Sequence, residues 1–143
     1  MILQDPIGAS GVSNYCIFVQ ALASSPADGV TNYFGNTPKV PSATAGAFGK
    51  VYIRVPGTIR IAEIYSYAGA AGTNEAWSLY VRKNNTTDYL IATVSLAANE
   101  RVFSNIALNI PVVAGDYIEI KCIYPTWATN PTSIVYGGYL YVE

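Results

Sequence analysis

The sequence predicts an all-β protein, an antiparallel sandwich or barrel of eight or nine short strands. Three observations carry this. No stretch keeps apolar residues at three-and-four spacing, the mark of an amphipathic helix. Val, Ile, Thr and Tyr dominate the periodic runs, which suits pleated, half-buried strands. Gly, Pro, Asn and Asp break those runs at short intervals, with nothing helical between them.

The strands follow in order. Residues 14–23 (Asn-Tyr-Cys-Ile-Phe-Val-Gln-Ala-Leu-Ala) are nearly continuously apolar, the pattern of a strand buried on both faces. Residues 30–34 form a short strand. Residues 50–55 place Val51, Ile53 and Val55 on one face. In residues 58–67 the phase changes: Ile59 and Ile61 share one face, Ala62 and Ile64 the other, which predicts a bulge near 61–63. Residues 76–83 turn Trp77, Leu79 and Val81 inward. A polar turn over 83–88 leads to a strand at 89–96. Residues 101–110 put Val102, Ile106, Leu108 and Ile110 on one face. After a turn at Pro111 and Ala114-Gly115-Asp116, residues 116–124 bury Ile118, Ile120 and Cys122 and turn out Tyr117, Glu119 and Lys121. Residues 134–142 set Leu140 and Val142 opposite Tyr139 and Tyr141. Residues 1–13 read as an extended arm, residues 35–49 as a long loop, and residues 14–143 as a single domain.

The chain has 143 residues, 8 Lys and Arg, 9 Asp and Glu, and no histidine. Charged residues are 12% of it, about half of the roughly 25% usual in soluble domains. The missing imidazole removes most general acid–base and Ser-His-Asp or Cys-His mechanisms and most catalytic zinc sites. A net charge of −1 argues against a nucleic-acid partner. Residues 6–27 and 122–142 are uncharged and long enough to cross a bilayer. Pro6, Gly8, Gly11, Asn14, Gln20 and Pro26 interrupt the first, and Pro125, Asn130, Pro131 and Gly137-Gly138 the second, so no membrane insertion is expected. Met1–Asp5 lacks the basic start of a signal peptide.

No constellation for chemistry assembles. Asp116 and Glu119 lie three positions apart on a strand and point to opposite faces. Asp116 caps its own turn, and Glu100 beside Arg101 reads as a turn charge. No EF-hand loop is present. No catalytic, cofactor or metal site is therefore expected, with a carbonyl-built Ca²⁺ loop left open. Cys16 and Cys122 read as two buried small hydrophobes, against the alternative of a disulfide.

Tyrosine is the strongest positive signal, with 12 in the chain. Tyr65, Tyr67, Tyr80, Tyr117, Tyr139 and Tyr141 fall on faces outside the core or of mixed character. Tyr enrichment with charge depletion is the composition of a subunit interface, so Tyr65, Tyr67, Tyr117, Tyr139 and Tyr141 are the expected interface residues. Trp127, held between Pro125 and Pro131, has two open readings: an exposed contact for a glycan or a neighbouring protein, or a lid on the end of the sandwich. Tyr33 is the second candidate ligand contact. The Asn84-Asn85-Thr86-Thr87 triplets read as a hairpin turn.

Pro111–Lys121, with its Gly115-Asp116 turn into a strand, and the terminal Tyr136-Gly137-Gly138-Tyr139-Leu140-Tyr141-Val142 resemble the last two strands of the tumour-necrosis-factor/C1q-like jelly roll. Val55-Pro56-Gly57-Thr58-Ile59 and Tyr80-Val81-Arg82-Lys83-Asn84 are similar to jelly-roll domains of bacteriophage virion proteins. The resemblance covers residues 50–143 and is thin over 1–49. It implies an antiparallel jelly-roll β-sandwich of eight to ten strands. It also implies a homotrimer with the last strand at its axis, and a role in assembly or receptor contact. The departures from the family are a missing collagen-like tract and missing central aromatic motifs, which turn the expectation from a cytokine or C1q module to a virion surface protein. The expected protein is a non-enzymatic head decoration, head fibre or fibre-tip protein. Strands near 14–23, 58–67 and 134–142 are expected to supply the threefold contact, and the arm to be held by other capsid or tail proteins. The alternative is a carbohydrate- or receptor-binding adhesin module that contacts a host surface glycan.

Overall fold

Alternation gives each long run one apolar side to bury, and two sheets facing each other bury all of them. The computed structural model describes residues 14–47, 49–73, 75–95 and 98–143. The expected arm at 1–13 lies outside the described residues. The strands are β1 (Tyr15–Ser24), β2 (Thr31–Phe34), β3 (Val51–Tyr52), β4 (Gly57–Tyr67), β5 (Ala76–Lys83), β6 (Thr87–Ser95), β7 (Glu100–Asn105), β8 (Ile110–Val112), β9 (Tyr117–Ile123) and β10 (Ile134–Val142).

One sheet runs β1-β10-β4-β7, with β8 also on β4. The other runs β2-β9-β5-β6, with β3 also on β9. All pairings are antiparallel. β1 pairs with β10, β2 with β9, β4 with β7 and β5 with β6. That nesting is one antiparallel ribbon, folded at the β5–β6 hairpin and wound so that its layers alternate between sheets. It is the double-sheet jelly roll, as expected.

Aromatic rings bridge the two inner faces. Trp77 on β5 meets Phe103 on β7 at 5.2 Å, and Phe34 on β2 stacks on Tyr136 of β10 at 4.9 Å. Ile59, Ile64, Leu79, Ile118, Ile120 and Leu140 fill the space between. Deep in this core the hydroxyls of Tyr124 and Tyr136 share a hydrogen bond of 2.8 Å.

Several sequence expectations need correction. β1 is not buried on both faces. It is an edge strand with Ile17, Val19 and Ala21 inward and Cys16, Phe18 and Leu22 exposed. The predicted 101–110 face does not exist, because the run is two strands that pair in turn with β4 and are broken between Asn105 and Ile110. Phe103, not Val102, points inward on β7, Ile106 is exposed, and only Leu108 and Ile110 return to the core. Only Val51–Tyr52 of the 50–55 run is strand, and Val55 is exposed. The β4 bulge is real but earlier: Val142 pairs with Ile59 and Tyr141 with Ile61, so Arg60 is the extra residue. Cys16 is exposed and free, while Cys122 is buried and free.

Candidate subunit interface

The pleat sends alternate residues of β1, β10, β4 and β7 to the outside of their sheet. The register stacks them in rows. Cys16 lies opposite Tyr141, and Tyr141 opposite Ile61. Phe18 lies opposite Tyr139, then Glu63 and Ser104. Gln20 lies opposite Gly137, then Tyr65 and Val102, and beyond them Val135 lies opposite Tyr67. Phe18 is 71% exposed, Tyr65 42% and Tyr67 41%. Within this grid Glu63 is the single charge, and Glu100 stands at its end opposite Tyr67.

Four of the five predicted interface tyrosines, Tyr65, Tyr67, Tyr139 and Tyr141, therefore share one face. The three strands expected to make a common contact, β1, β10 and β4, are neighbours in it. Tyr117 is the exception. It lies on β9 in the opposite sheet, 5.7 Å from the ring of Tyr52, with the Lys50 ammonium 4.8 Å from its own ring centre.

The outside of that second sheet has the opposite character. Asp88 holds Arg82 and Lys121, each at 2.6 Å. Arg82 stands over the ring of Tyr33 at 5.7 Å, and Lys121 over that of Tyr80 at 5.8 Å. Burial works against the Asp88 charge, but the Lys121 and Arg82 bonds outweigh it and hold its carboxyl below the usual range. One face of the molecule is thus neutral and aromatic, and the other is a network of paired charges.

Trp127 is not an exposed contact. It is 4% exposed and sits edge-on to Trp77 at 5.7 Å. Its loop is pinned from both sides: Asp28 accepts the Trp127 N–H, Glu75 the Ala128 N–H and Thr73 the Thr129 N–H. The lid reading is the one the geometry supports, because an indole between prolines has an aromatic core to fold onto. Tyr33 is half-buried, with one side of its ring under Arg82.

Sequence reasoning missed Glu119. Its outward position on β9 suggested exposure, but its relative exposure is 0%. The backbone at Gly46 and at Gly49 passes close to it, and the Gly46 N–H donates to its Oε2 at 2.8 Å. Its Oε1 lies 3.9 Å from Arg82 Nε and accepts no hydrogen bond from the described residues. Burial raises its pKa above the ordinary value. The available signal was Gly46 and Gly49, glycines that let backbone pass close over a sheet. Among the described residues no group of three or more His, Cys, Asp or Glu could hold a metal ion.

Fold and face together define a jelly-roll sandwich with one neutral aromatic sheet surface. No protein-family model matches the chain, and no curated protein matches it. Among solved structures it is similar to the one titled "Crystal Structure of FLHE", at 12% identity and a TM-score of 0.37, over 92% of this chain and 98% of that one.

Proposed function

We propose that the chain is a non-enzymatic virion structural protein, a head decoration, head fibre or fibre-tip protein. It assembles as a homotrimer through the outer face of the β1-β10-β4-β7 sheet. The observation that carries the assembly is the sorting of side chains: Phe18, Ile61, Tyr65, Tyr67, Tyr139 and Tyr141 share one face with a single central charge. Exposed apolar patches of this kind mark interaction sites, and burial of apolar area returns roughly 25 cal/mol per Å² before the cost of association. β10 lies inside this sheet, which agrees with a last strand at the trimer axis. The virion assignment rests on the resemblance of residues 50–143 to phage jelly-roll domains. Nothing in the geometry favours the glycan-binding alternative, since Trp127 is buried and Tyr33 partly covered.

The mass of the protein in solution at micromolar concentration tests the assembly. The expected value is three times the 15.3 kDa chain; a monomer overturns the reading. Gly137→Arg supplies the control. A side chain at Gly137 meets open space on the neutral face, so this variant keeps its fold and loses the trimer. Electron microscopy of the source particle, with antibody against the chain, tests the virion assignment: unlabelled particles overturn it.

A further inference from the structure

β1 is an edge strand, and half of its edge is free. The N–H groups of Gln20 and Leu22 donate across that edge to the carbonyls of Gly35 and Lys39, at 2.7 and 3.0 Å. Backbone groups alternate in direction along a strand, so Cys16 and Phe18 turn theirs to the same edge. No described residue pairs with them there. Beside them opens a groove of about 370 Å³, walled on its far side by residues 51–55. Its lining is mostly apolar, and its one charge, Arg54, has no ion-pair or hydrogen-bond partner among the described residues. A free edge beside an apolar trough is the geometry that accepts an added strand.

We propose that residues 1–7 of a second copy of the chain fill this groove as an added strand. The inference rests on the assembly proposed above. Three features select this occupant. Met1-Ile2-Leu3-Gln4-Asp5-Pro6-Ile7 is mainly apolar, and its one charge, Asp5, has the sign that Arg54 lacks. Residues 8–14 are seven residues, a length of chain that reaches at most about 23 Å, enough to cross to a neighbour. Cys16 and Phe18 belong both to the rim of the groove and to the neutral face, so a subunit seated on that face has the groove beside it. Each arm entering the next subunit closes a ring by head-to-tail contacts and adds backbone hydrogen bonds to an otherwise side-chain interface.

Cys16 makes the test direct. The full-length Leu3→Cys variant is oxidised with diamide and run on a non-reducing gel. The expected result is covalent species at two and three chain masses, absent when Cys16→Ser is added. Cys122 is buried and does not compete. Asp5→Lys in the same background is expected to abolish the multimer bands, and Arg54→Glu combined with it to restore them. A bond within one chain, seen as a monomer that loses two free thiols, overturns the exchange. No bond at all overturns docking in the groove. Solution mass of the unsubstituted protein separates the two proposals: a trimer without cross-linking keeps the assembly and sinks the arm exchange, and a monomer sinks both.

Discussion

Gly138 lies where β10 passes between β1 and β4. A Cβ there would fall 2.2 Å from the carbonyl oxygen of Glu63 and 2.7 Å from the Cα of Ile64. Neither atom can withdraw without opening the β10–β4 ladder. Gly138→Ala is expected to cost about 3 kcal/mol, at the upper end for overpacking, while Gly137→Ala stays within about 0.5 kcal/mol. Urea unfolding of the two variants decides this, and equal losses would mean a different register. The cysteines diverge as sharply. Burial pushes the Cys122 thiol up to about 12, so it holds its proton and reacts poorly. Alkylation of the folded protein is expected to label Cys16 at most, with Cys122 labelled only after unfolding, as read by peptide mass. Cys122 was legible in the sequence because it keeps phase with Ile118 and Ile120. Cys16 was not, because apolar neighbours on both sides hid which face the core takes.

The β5–β6 hairpin shows how elements lock together. Thr86 N–H donates to Lys83 O at 3.1 Å, and Asn84 and Asn85 both have positive φ, 51° and 57°, which defines a type I′ turn. Asn84 then reaches across to the turn before β9. Its Nδ2 donates to Asp116 Oδ1 at 2.7 Å, and its Oδ1 accepts the Tyr117 N–H at 2.9 Å. The Asn84 bond, the Val113 N–H and the Lys83 ammonium together lower the Asp116 pKa from 3.8 to about 2. The folded carboxyl gives up its proton more readily than the unfolded one, so its bonds stabilise fully above pH 3.8 and are lost as pH falls through about 2. Asp116→Ala is expected to cost about 2 kcal/mol at neutral pH, with the gap to the parent protein closing between pH 4 and 2 in urea titrations. A gap constant over that range would mean that the charge contributes nothing. The turn itself was legible from Asn84-Asn85 and Ala114-Gly115-Asp116, because turn residues act locally. The side-chain bridge between the two turns was not, because it joins positions 32 residues apart. The same limit explains the misread 101–110 run, where two strands in sequence give one false periodicity. It also explains Glu119, whose burial comes from a loop more than seventy residues earlier.

The whole molecule sorts its charges by sheet, and this governs how it should associate. Arg82, Asp88, Glu119 and Lys121 are grouped outside the β2-β9-β5-β6 sheet and largely neutralise one another there. The low charge content that first suggested an interface is thus concentrated on the other sheet, across strands that are distant in sequence and adjacent in space. Association through that neutral sheet draws on apolar burial, which salt does not screen, whereas contacts between exposed charges weaken over a Debye length of about 10 Å at 0.1 M and about 3 Å at 1 M. Sedimentation of the trimer is therefore expected to be unchanged between about 0.05 M and about 1 M sodium chloride. Glu63 sharpens the test. It lies between Tyr139 and Ser104 in the centre of the face, and copies brought together by assembly must desolvate its carboxylate, while Arg60, the cation on the same strand, is paired with Glu143. Removing such a charge relieves both desolvation and mutual repulsion. Glu63→Gln is expected to tighten association by roughly 1 kcal/mol, about fivefold in the dissociation constant. Dissociation by moderate salt would locate the contact on the charged sheet instead, and weaker association of Glu63→Gln would mean that its carboxylate is paired across the contact.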